Sequence, residues 1–272
     1  MPELPEVEVT RRAVEPLLVG RRLTHVATTA KSYFFLTPPA KLRERLVGRT
    51  VQRLERQGKY LLAALDDGSR LLLHLGMTGQ LLSSRARGFT PDAHTHLVLK
   101  FADRGPDLSF RDVRKFGKVR WLAPGKSDPR LDKLGLDALA VSAEHLFTES
   151  RRRRAAVKTL LLDQGVLAGV GNIYADEALF LAKVRPTRRA RTLRRDECEA
   201  LAAAVLRVLE AGIAAGGSSI DDFVRPDGTG GGYQDAHRVY GRGGEPCPRC
   251  GTSIRRVVIG QRSSCYCPSC QR

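Results

Sequence analysis

Two cysteine pairs, Cys247-Pro248-Arg249-Cys250 and Cys267-Pro268-Ser269-Cys270, limit the fold of this chain more strictly than any other stretch. Sixteen residues separate the pairs. Four thiolates in two Cys-x-x-Cys motifs at such a spacing are typical of a tetrahedral zinc site built from two knuckles. We therefore predict one structural Zn²⁺ held by these four cysteines, with no coordination position left open for catalysis. Cys198 and Cys265 are expected to be spectators.

The segment between the two cysteine pairs predicts a β-hairpin. Arg255, Arg256, Gln261 and Arg262 lie along it, with Arg262 at the tip. A tip arginine is well placed to enter DNA, although an ordinary surface arginine would give the same pattern.

The charge of the whole chain predicts a polyanionic partner. Its 272 residues contain 46 Lys and Arg against 29 Asp and Glu, a formal net charge of +17. An excess of this size is an argument about partners rather than about fold. No apolar run is long enough to cross a bilayer, and no signal peptide is visible. Cysteines arranged for metal suit a reducing compartment, so we expect a soluble, cytoplasmic protein without membrane contact.

The first half of the chain reads as one helix followed by short strands. The helix is expected from Pro5 to about Glu15, closed by Pro16 and Gly20. Many short strands with turn signals between them favour an antiparallel sandwich or barrel over alternating β–α units. The predicted strands are Arg22–Val26, Tyr33–Leu36, Thr50–Leu54, Tyr60–Leu65, Arg70–Leu75, His96–Phe101, Leu108–Phe110 and Lys118–Leu122.

The second half is predicted to be helical. The arginine run Arg151–Arg154 leads into a helical stretch that contains Lys158. Gly169-Val170-Gly171-Asn172 then opens a helix, and backbone N–H groups at a helix N-terminus can bind an anion. An ordinary helix–helix turn would look the same. A further helix, Glu197–Ala215, precedes the loop 217–234, whose length without periodicity favours a lid or substrate-contacting loop.

The N-terminal stretch Pro2-Glu3-Leu4-Pro5-Glu6 is the strongest candidate for chemistry. Removal of Met1 would expose a secondary amine at Pro2. An α-amino group has a pKa near ~8, against ~10.4 for lysine, so more of it is an unprotonated nucleophile at neutral pH. The alternative is a plain helix start, with Pro5 in the first turn and glutamates favoured by the helix dipole.

Three loops of the first half add further candidates, each with a plainer explanation. Lys59 follows Gly58 at a strand start and could bind phosphate or act as an acid, or it could be a solvated surface charge. Met77 stands between two glycines and could be a core residue. Arg114 and Phe116 share a basic loop. An exposed Met, Arg and Phe together would suit a protein that wedges side chains into a base stack.

Together these motifs resemble the formamidopyrimidine-DNA glycosylase family over nearly the whole chain. The motifs that carry the resemblance are Pro2-Glu3-Leu4-Pro5-Glu6-Val7-Glu8, Gly58-Lys59-Tyr60-Leu61-Leu62, His74-Leu75-Gly76-Met77-Thr78-Gly79, Arg114-Lys115-Phe116-Gly117, Gly169-Val170-Gly171-Asn172-Ile173-Tyr174 and the zinc segment with Gln261-Arg262. The family implies an α+β multidomain fold. We expect an N-terminal antiparallel β-sandwich with flanking helices over 1–134, a helix–two-turns–helix domain over 135–237 that includes the loop 217–234, and a zinc-finger β-hairpin over 238–272.

The family also implies an activity, the removal of oxidised purines such as 8-oxoguanine and formamidopyrimidines from double-stranded DNA, by a protein that we expect to be monomeric. Pro2 is similar to the nucleophile that attacks C1′ of the damaged nucleoside, Glu3 to the acid/base, and Glu6 to a supporting carboxylate. Lys59 and Arg262 resemble the family's proton donors and phosphate ligands in the β and δ eliminations that then nick the strand.

The DNA contacts are carried over in the same way. Met77, Arg114 and Phe116 resemble the residues that fill the void left by a flipped base. Asn172, with the Gly169 and Gly171 backbone, resembles the phosphate clamp. The remaining expected DNA contacts are His94, Arg153 and Lys158.

Two positions depart from the family pattern, and two other functions stay open. Val113 stands where a proline is common, and Lys115 replaces a second arginine, so bidentate phosphate binding is lost there. One alternative is a sister enzyme resembling endonuclease VIII, which removes oxidised pyrimidines. The other is a non-catalytic zinc-ribbon DNA-binding protein, which would give no reason for Pro2-Glu3 at the terminus.

Overall fold

A computed structural model describes residues 2–220 and 222–272. Whether Met1 is removed lies outside these described residues, as does Asp221. The helices are α1 (Leu4–Leu18), α2 (Pro39–Leu46), α3 (Pro129–Asp132), α4 (Ala143–Arg151), α5 (Val157–Leu162), α6 (Asn172–Leu181) and α7 (Arg195–Ala214). The strands are β1 (Leu23–Thr28), β2 (Val51–Gln57), β3 (Tyr60–Leu65), β4 (Arg70–His74), β5 (Gly79–Ser83), β6 (Thr95–Phe101), β7 (Leu108–Asp112), β8 (Lys118–Leu122), β9 (Leu136–Asp137), β10 (Leu167–Ala168), β11 (Arg255–Ile259) and β12 (Arg262–Tyr266).

The chain divides into two compact units. One extends to Asp132 and includes Ala215–Gly232, and the other comprises Lys133–Ala214 with Tyr233–Arg272. Most of the loop 217–234 therefore packs with the first unit, whereas the sequence predicts it as part of the helix–two-turns–helix domain. The domain boundaries predicted from the sequence stay a prediction. Within the described residues, no helix is both long enough and apolar enough to span a bilayer.

The first unit contains two four-stranded antiparallel sheets, with strand orders β1-β6-β7-β5 and β2-β3-β4-β8. Alternating apolar residues of both sheets meet in one core, which includes Leu61 and Leu73 from one sheet and Leu97 and Phe110 from the other. Helix α1 adds its apolar face to this core and packs against β2, β3 and β5. The predicted antiparallel sandwich is confirmed.

Two local predictions for this unit were wrong, and two elements had no prediction. Residues Tyr33–Leu36 form no strand: Phe34 is fully buried, and the next residue makes a single bridge to β8. Both adjacent phenylalanines are buried in the core, so this segment does not alternate between buried and exposed residues as a surface strand would. Helix α2 and strand β5 were not predicted at all. Helix α1 also continues through Pro16 to Leu18, since one lost backbone hydrogen bond near a helix end is tolerated when Leu18 is buried.

The second unit is built from α4 to α7 and the β11–β12 hairpin. Helix α6 is buried on nearly every side, and its own buried side chains include Tyr174 and Phe180. Two acidic residues, Asp176 and Glu177, lie on this helix and are also buried. The predicted hairpin between the cysteine pairs is confirmed, with Ile259 opposite Arg262 at its tip.

Candidate active site

The start of α1 is a rigid and buried platform. Pro2 and Glu3 are both buried, and Glu3 occupies the N-cap position. The Glu3 carboxylate accepts the backbone N–H of Glu6, while the Glu6 carboxylate accepts the backbone N–H of Glu3 at 2.8 Å. This reciprocal capping box fixes the chain direction directly after Pro2. The helix-start interpretation and the chemical one are therefore compatible, because the cap holds the candidate nucleophile.

Glu6 also connects the N-terminus to the loop that follows α7. Its second oxygen accepts the backbone N–H of Ser218 at 2.8 Å, and the side chain is 1% exposed. Gly217 precedes Ser218 with φ +84°, and a Cβ there would lie 2.8 Å from Phe223 and 3.2 Å from Glu6. Only glycine fits this approach. No local sequence pattern predicts this link, because the two partners are 212 residues apart.

Glu8, by contrast, has a structural role. Its carboxylate pairs with Arg11, Arg12 and Arg56 at 2.8–3.1 Å. Burial opposes ionisation of this carboxyl, yet hydrogen bonds from Arg11 and Arg12 leave the pKa of Glu8 below its usual value.

Lys59 lies in the tight turn between β2 and β3 and is 7% exposed. Gly58, the residue before it, has φ +55°, a conformation that residues with a side chain rarely adopt. His74, at the end of β4, stands beside this lysine: burial, followed by the charge of Lys59, lowers the pKa of His74 to about 4. His74 Nδ1 accepts the Gly76 N–H at 3.2 Å, so the neutral ring presents its other nitrogen as a donor. The sequence interpretation passed over His74, although it begins the motif that contains Met77.

The loops that carry Met77, Arg114 and Phe116 pack against each other. A Cβ on Gly76 would lie 2.5 Å from the Gly117 backbone nitrogen, so the two loops are in backbone contact. Thr78 bridges them, since its Oγ1 donates to the buried Asp112 carboxylate and accepts the Arg114 N–H at 3.2 Å.

The side chains on these loops face solvent. Met77 is 39% exposed and Phe116 is 42% exposed, and the exposed Arg114 guanidinium lies 4.7 Å from the Phe116 ring centroid. Exposed apolar side chains on rigid backbone are what a base-stack wedge requires. Residues 113–117 are called the wedge loop below.

The two histidines of β6 and its approach have different surroundings. His94 is partly exposed just before β6, and its carbonyl accepts the Asp112 N–H at 2.9 Å. His96 is 1% exposed and contacts the Asp112 carbonyl at 2.9 Å, and burial lowers its pKa. His96 is therefore a core residue, while His94 is accessible to a ligand.

In the second unit, Lys158 is placed differently from what the sequence predicted. Its side chain is 0% exposed, and its ammonium lies 2.7 Å from Asp176 Oδ1 and 2.9 Å from the Ser263 carbonyl. A fully enclosed ammonium with these partners is not available to a DNA phosphate, so the direct contact expected for Lys158 does not fit this placement. It anchors the hairpin instead.

Asn172 joins the same cluster from the first turn of α6. Its amide nitrogen donates to the Ser263 carbonyl at 3.1 Å. Arg262, which precedes Ser263, is exposed, so the hairpin presents this arginine from a fixed base. Asn172 thus bonds the backbone of the residue that directly follows Arg262.

Gly169, Gly171 and Arg153 are less open to an anion than expected. Both glycines are buried, and the Gly169 N–H donates to the Gln164 side chain at 3.0 Å. Arg153 is partly exposed and pairs with Glu149 and, at 3.6 Å, with Asp163. The DNA contacts of these three residues stay a prediction. To bind a phosphate, the Gly169 N–H and the Arg153 guanidinium would have to share their present hydrogen bonds with it or give them up.

Asp176 and Glu177 were missed in the sequence. Asp176 Oδ1 accepts Ser264 Oγ at 2.7 Å and its Oδ2 accepts the Cys265 N–H at 2.9 Å, beside its pair with Lys158. Glu177 accepts the backbone N–H groups of residues 238–240 at 2.9–3.0 Å. Burial raises the pKa of both carboxyls, and these contacts oppose the rise. Two adjacent acids in an otherwise apolar helix were the available signal.

The four cysteines of the two pairs fit a zinc ion. Their Sγ atoms all lie within 4.8 Å of one another, with Cys250 and Cys267 at 3.5 Å and Cys247 and Cys270 at 4.0 Å. Tetrahedral zinc with Zn–S bonds near 2.3 Å requires sulfur–sulfur distances of about 3.8 Å. The four thiols are therefore positioned to bind one zinc ion, and Cys265 is not among them. The zinc prediction is confirmed.

Comparison with known proteins agrees with this geometry along the whole chain. Residues 1–119 match the formamidopyrimidine-DNA glycosylase N-terminal domain, 134–224 match its H2TH domain, and 244–272 match the zinc finger found in FPG and IleRS. A relative from Thioalkalivibrio sulfidiphilus named formamidopyrimidine-DNA glycosylase is 46% identical, with 100% of both chains covered.

Solved structures give the same result. The MutM (Fpg) protein from Thermus thermophilus is 39% identical with a TM-score of 0.88, covering 99% of this chain and 98% of that one. A Lactococcus lactis FPG mutant in complex with Fapy-dG containing DNA is 33% identical with a TM-score of 0.89, and both chains are covered completely.

The fold and the cysteine site thus define a zinc-finger DNA glycosylase. The chain belongs to the formamidopyrimidine-DNA glycosylase family. The helix–two-turns–helix and zinc-finger parts of the predicted fold are confirmed, and the endonuclease VIII-type alternative is not favoured.

Proposed function

We propose that this protein excises oxidised purines, including 8-oxoguanine and formamidopyrimidines, from double-stranded DNA and then cleaves the strand at the abasic site. The observation that carries the proposal is the buried Pro2–Glu3 terminus, capped by Glu6, in a chain that matches its named relatives over their full length.

The nucleophile is the Pro2 nitrogen. It attacks C1′, forming a C–N bond as the glycosidic bond breaks and the electron pair leaves with the base. The new C–N centre then gives up its N–H proton, and Glu3 is the adjacent acid/base that delivers a proton to the ring oxygen as the bond between that oxygen and C1′ breaks and the sugar ring opens. The product is an iminium with a fixed positive charge, because a secondary amine bonded to C1′ cannot return to neutral by losing an N–H proton. Glu6 acts on this site by positioning Glu3 through the capping box.

Strand cleavage follows from the same iminium. Its positive charge acidifies C2′, so loss of a C2′ proton expels the 3′ phosphate, and a second elimination expels the 5′ phosphate. Lys59 and Arg262 serve as phosphate ligands and proton donors for the two leaving groups. Neutral His74 beside Lys59 adds a hydrogen-bond donor for a phosphate oxygen. The zinc ion stabilises the hairpin that carries Arg262 and takes no part in these steps.

DNA binding precedes the chemistry. The target nucleotide must leave the stack, at a cost of a few kcal/mol, before C1′ can be reached. Met77, Arg114 and Phe116 fill the space left behind. Asn172, His94 and Arg153 contact the backbone with the Gly169–Gly171 segment, and Lys158 acts indirectly by holding Ser263. The protein acts as a monomer in the cytoplasm.

Borohydride trapping on an abasic-site duplex tests this proposal. We expect a covalent protein–DNA adduct with the unmodified chain, weak trapping with Pro2→Gly, and none with an N-terminal tag that is retained, because the tag turns the amine into an amide. A tagged protein that turns over normally would contradict an N-terminal nucleophile. Tight DNA binding without any adduct would instead favour the non-catalytic zinc-ribbon alternative.

A further inference from the structure

We propose that Tyr33 and Lys118 are positioning residues that hold the wedge loop in the geometry that enters DNA, and thereby set the rate at which a paired lesion is extruded. This inference rests on the proposed function. Neither residue belongs to the motifs that carry the family resemblance.

The wedge loop has a backbone conformation that needs support. Lys115, at its centre, has φ +58°, a left-handed conformation that residues other than glycine adopt rarely. A loop with this feature persists only where its surroundings determine it. The supports are therefore informative about what the loop must do.

The N–H groups of the loop are held from inside the first unit. Lys115 N–H donates to the Asp112 carbonyl at 3.3 Å, and Gly117 N–H donates to the Asp112 carboxylate at 2.7 Å. Arg114 N–H donates to Thr78 Oγ1 at 3.2 Å. These partners are buried, so this side of the loop is part of the fold.

The carbonyl side of the loop is held by Tyr33 and Lys118. The Tyr33 hydroxyl donates to the Arg114 carbonyl at 2.8 Å. Lys118 Nζ donates to the Phe116 carbonyl at 3.2 Å and to the Gly117 carbonyl at 3.1 Å. The same ammonium lies 5.0 Å from the Tyr33 ring centroid, within cation–π range, so the two supports also hold each other.

The Tyr33 side chain has no comparable role in the core. Its ring is 58% exposed, whereas the neighbouring Phe34 is fully buried. The Phe34 carbonyl accepts the Val119 N–H at 3.0 Å, so the backbone beside Tyr33 is fixed to the strand that begins with Lys118. Removing only the hydroxyl therefore disturbs the wedge loop and leaves the sandwich core unchanged.

A preformed wedge lowers the cost of extrusion. If the loop had to become ordered on DNA, the entropy of ordering would be subtracted from the stacking that Phe116 restores. This cost matters most when the lesion is paired and stacked. It matters little when the lesion is already unpaired, because less stacking has to be replaced.

The test is single-turnover excision of 8-oxoguanine by Tyr33→Phe on two substrates, a fully paired duplex and a duplex with the lesion in an unpaired bulge. We expect excision from the paired duplex to be about three- to tenfold slower, the range of one lost hydrogen bond, with less than a twofold change on the bulge. The melting temperature should be unchanged. Equal slowing on both substrates, or no slowing on either, would overturn the proposal.

A double-variant experiment separates positioning from direct contact. In a Phe116→Ala background the aromatic part of the wedge is absent, so Tyr33→Phe should cause a smaller further loss than in the wild type; an undiminished further loss would mean that the hydroxyl acts on DNA by itself. Thr37→Val is the matched control. The Thr37 hydroxyl accepts the backbone N–H of Trp121, which lies on β8 like Lys118 but outside the wedge loop. This variant should leave the ratio of paired to bulge rates unchanged, and an equal shift in that ratio would refute a specific role for Tyr33.

The wild-type protein keeps the two proposals distinguishable. If the wild type excises nothing and gives no borohydride adduct, the proposed function fails. If the wild type is active and Tyr33→Phe matches it on the paired duplex, only the role of Tyr33 fails.

Discussion

Two hairpin turns that each begin with a glycine at positive φ present the two cations assigned to the eliminations. Gly58, at φ +55°, precedes Lys59, and Gly260, at φ +54°, precedes Gln261 and Arg262. Both turns have two residues. Gln261 is also at positive φ, +64°, so the second turn has the signs of a type I′ turn and the first those of a type II′ turn.

The two hairpins differ in what makes them rigid. Strands β2 and β3 belong to a four-stranded sheet over a large apolar core. Strands β11 and β12 form a sheet of two, and Val258 on it is 74% exposed. A two-stranded hairpin is marginal by itself in water. The second hairpin therefore depends on the zinc site and on the Lys158–Asp176 pair, as the first depends on hydrophobic burial.

Removing zinc should produce the largest difference in stability between the two hairpins. Structural zinc sites of this type contribute about 10–16 kcal/mol, so a chelator should abolish protection of the β11–β12 amides from hydrogen exchange while β3 and β4 stay protected. Cys267→Ser should do the same without chelator, and Cys198→Ser, which leaves all four ligands, should retain zinc. Continued protection of β11–β12 after stoichiometric zinc loss would contradict this account.

Breaking the buried pair should have the next largest effect. Asp176→Asn removes the carboxylate that pairs with the enclosed Lys158 ammonium, and breaking a buried pair costs about 3–5 kcal/mol. Urea unfolding should detect this change. Adding Lys158→Met should recover part of the loss, because no ammonium is then buried at this position. Asp196→Asn breaks an exposed pair with Arg194 and should change little. A loss no larger than that of the control would show that the pair does not hold the hairpin.

Alanine at the two turn glycines should have the smallest effect and tests the positive φ that the two glycines share. Gly58→Ala and Gly260→Ala should each lose about 1–2 kcal/mol, since both place a Cβ on a residue at positive φ. A Cβ at Gly260 would meet nothing closer than Thr159 at 3.9 Å, so strain alone is expected there.

The measurement for these variants is the equilibrium free energy of unfolding, combined with amide exchange. For Gly260→Ala the loss of stability should appear as faster hydrogen exchange of the β11 and β12 amides. Gly260→Asn should recover most of this stability, because asparagine tolerates this conformation. Equal stability of the alanine and wild-type proteins would mean that the turns relax to another form.

The sequence could predict most of the elements and part of the site. Strands Tyr60–Leu65 and Lys118–Leu122 have the predicted bounds because their apolar runs end at clear turn signals. Strand β5 begins with Gly79, which indicated a loop, and α2 is short and highly charged, so neither pattern was periodic enough to predict. The position of Lys158 on a helix was correct, but its burial was not foreseen.

What the sequence determined by itself was chemistry set by spacing: four thiols for one zinc, a proline ahead of a capped helix, and glycines at turns that require positive φ. Each depends on residues a few positions apart, where bond geometry fixes the outcome. The tertiary structure alone decided that Glu6 meets Ser218, that Lys158 meets Asp176, and that the wedge loop is held by Tyr33. These contacts join distant segments, and the same residue type becomes a solvated charge or an enclosed anchor according to what packs around it.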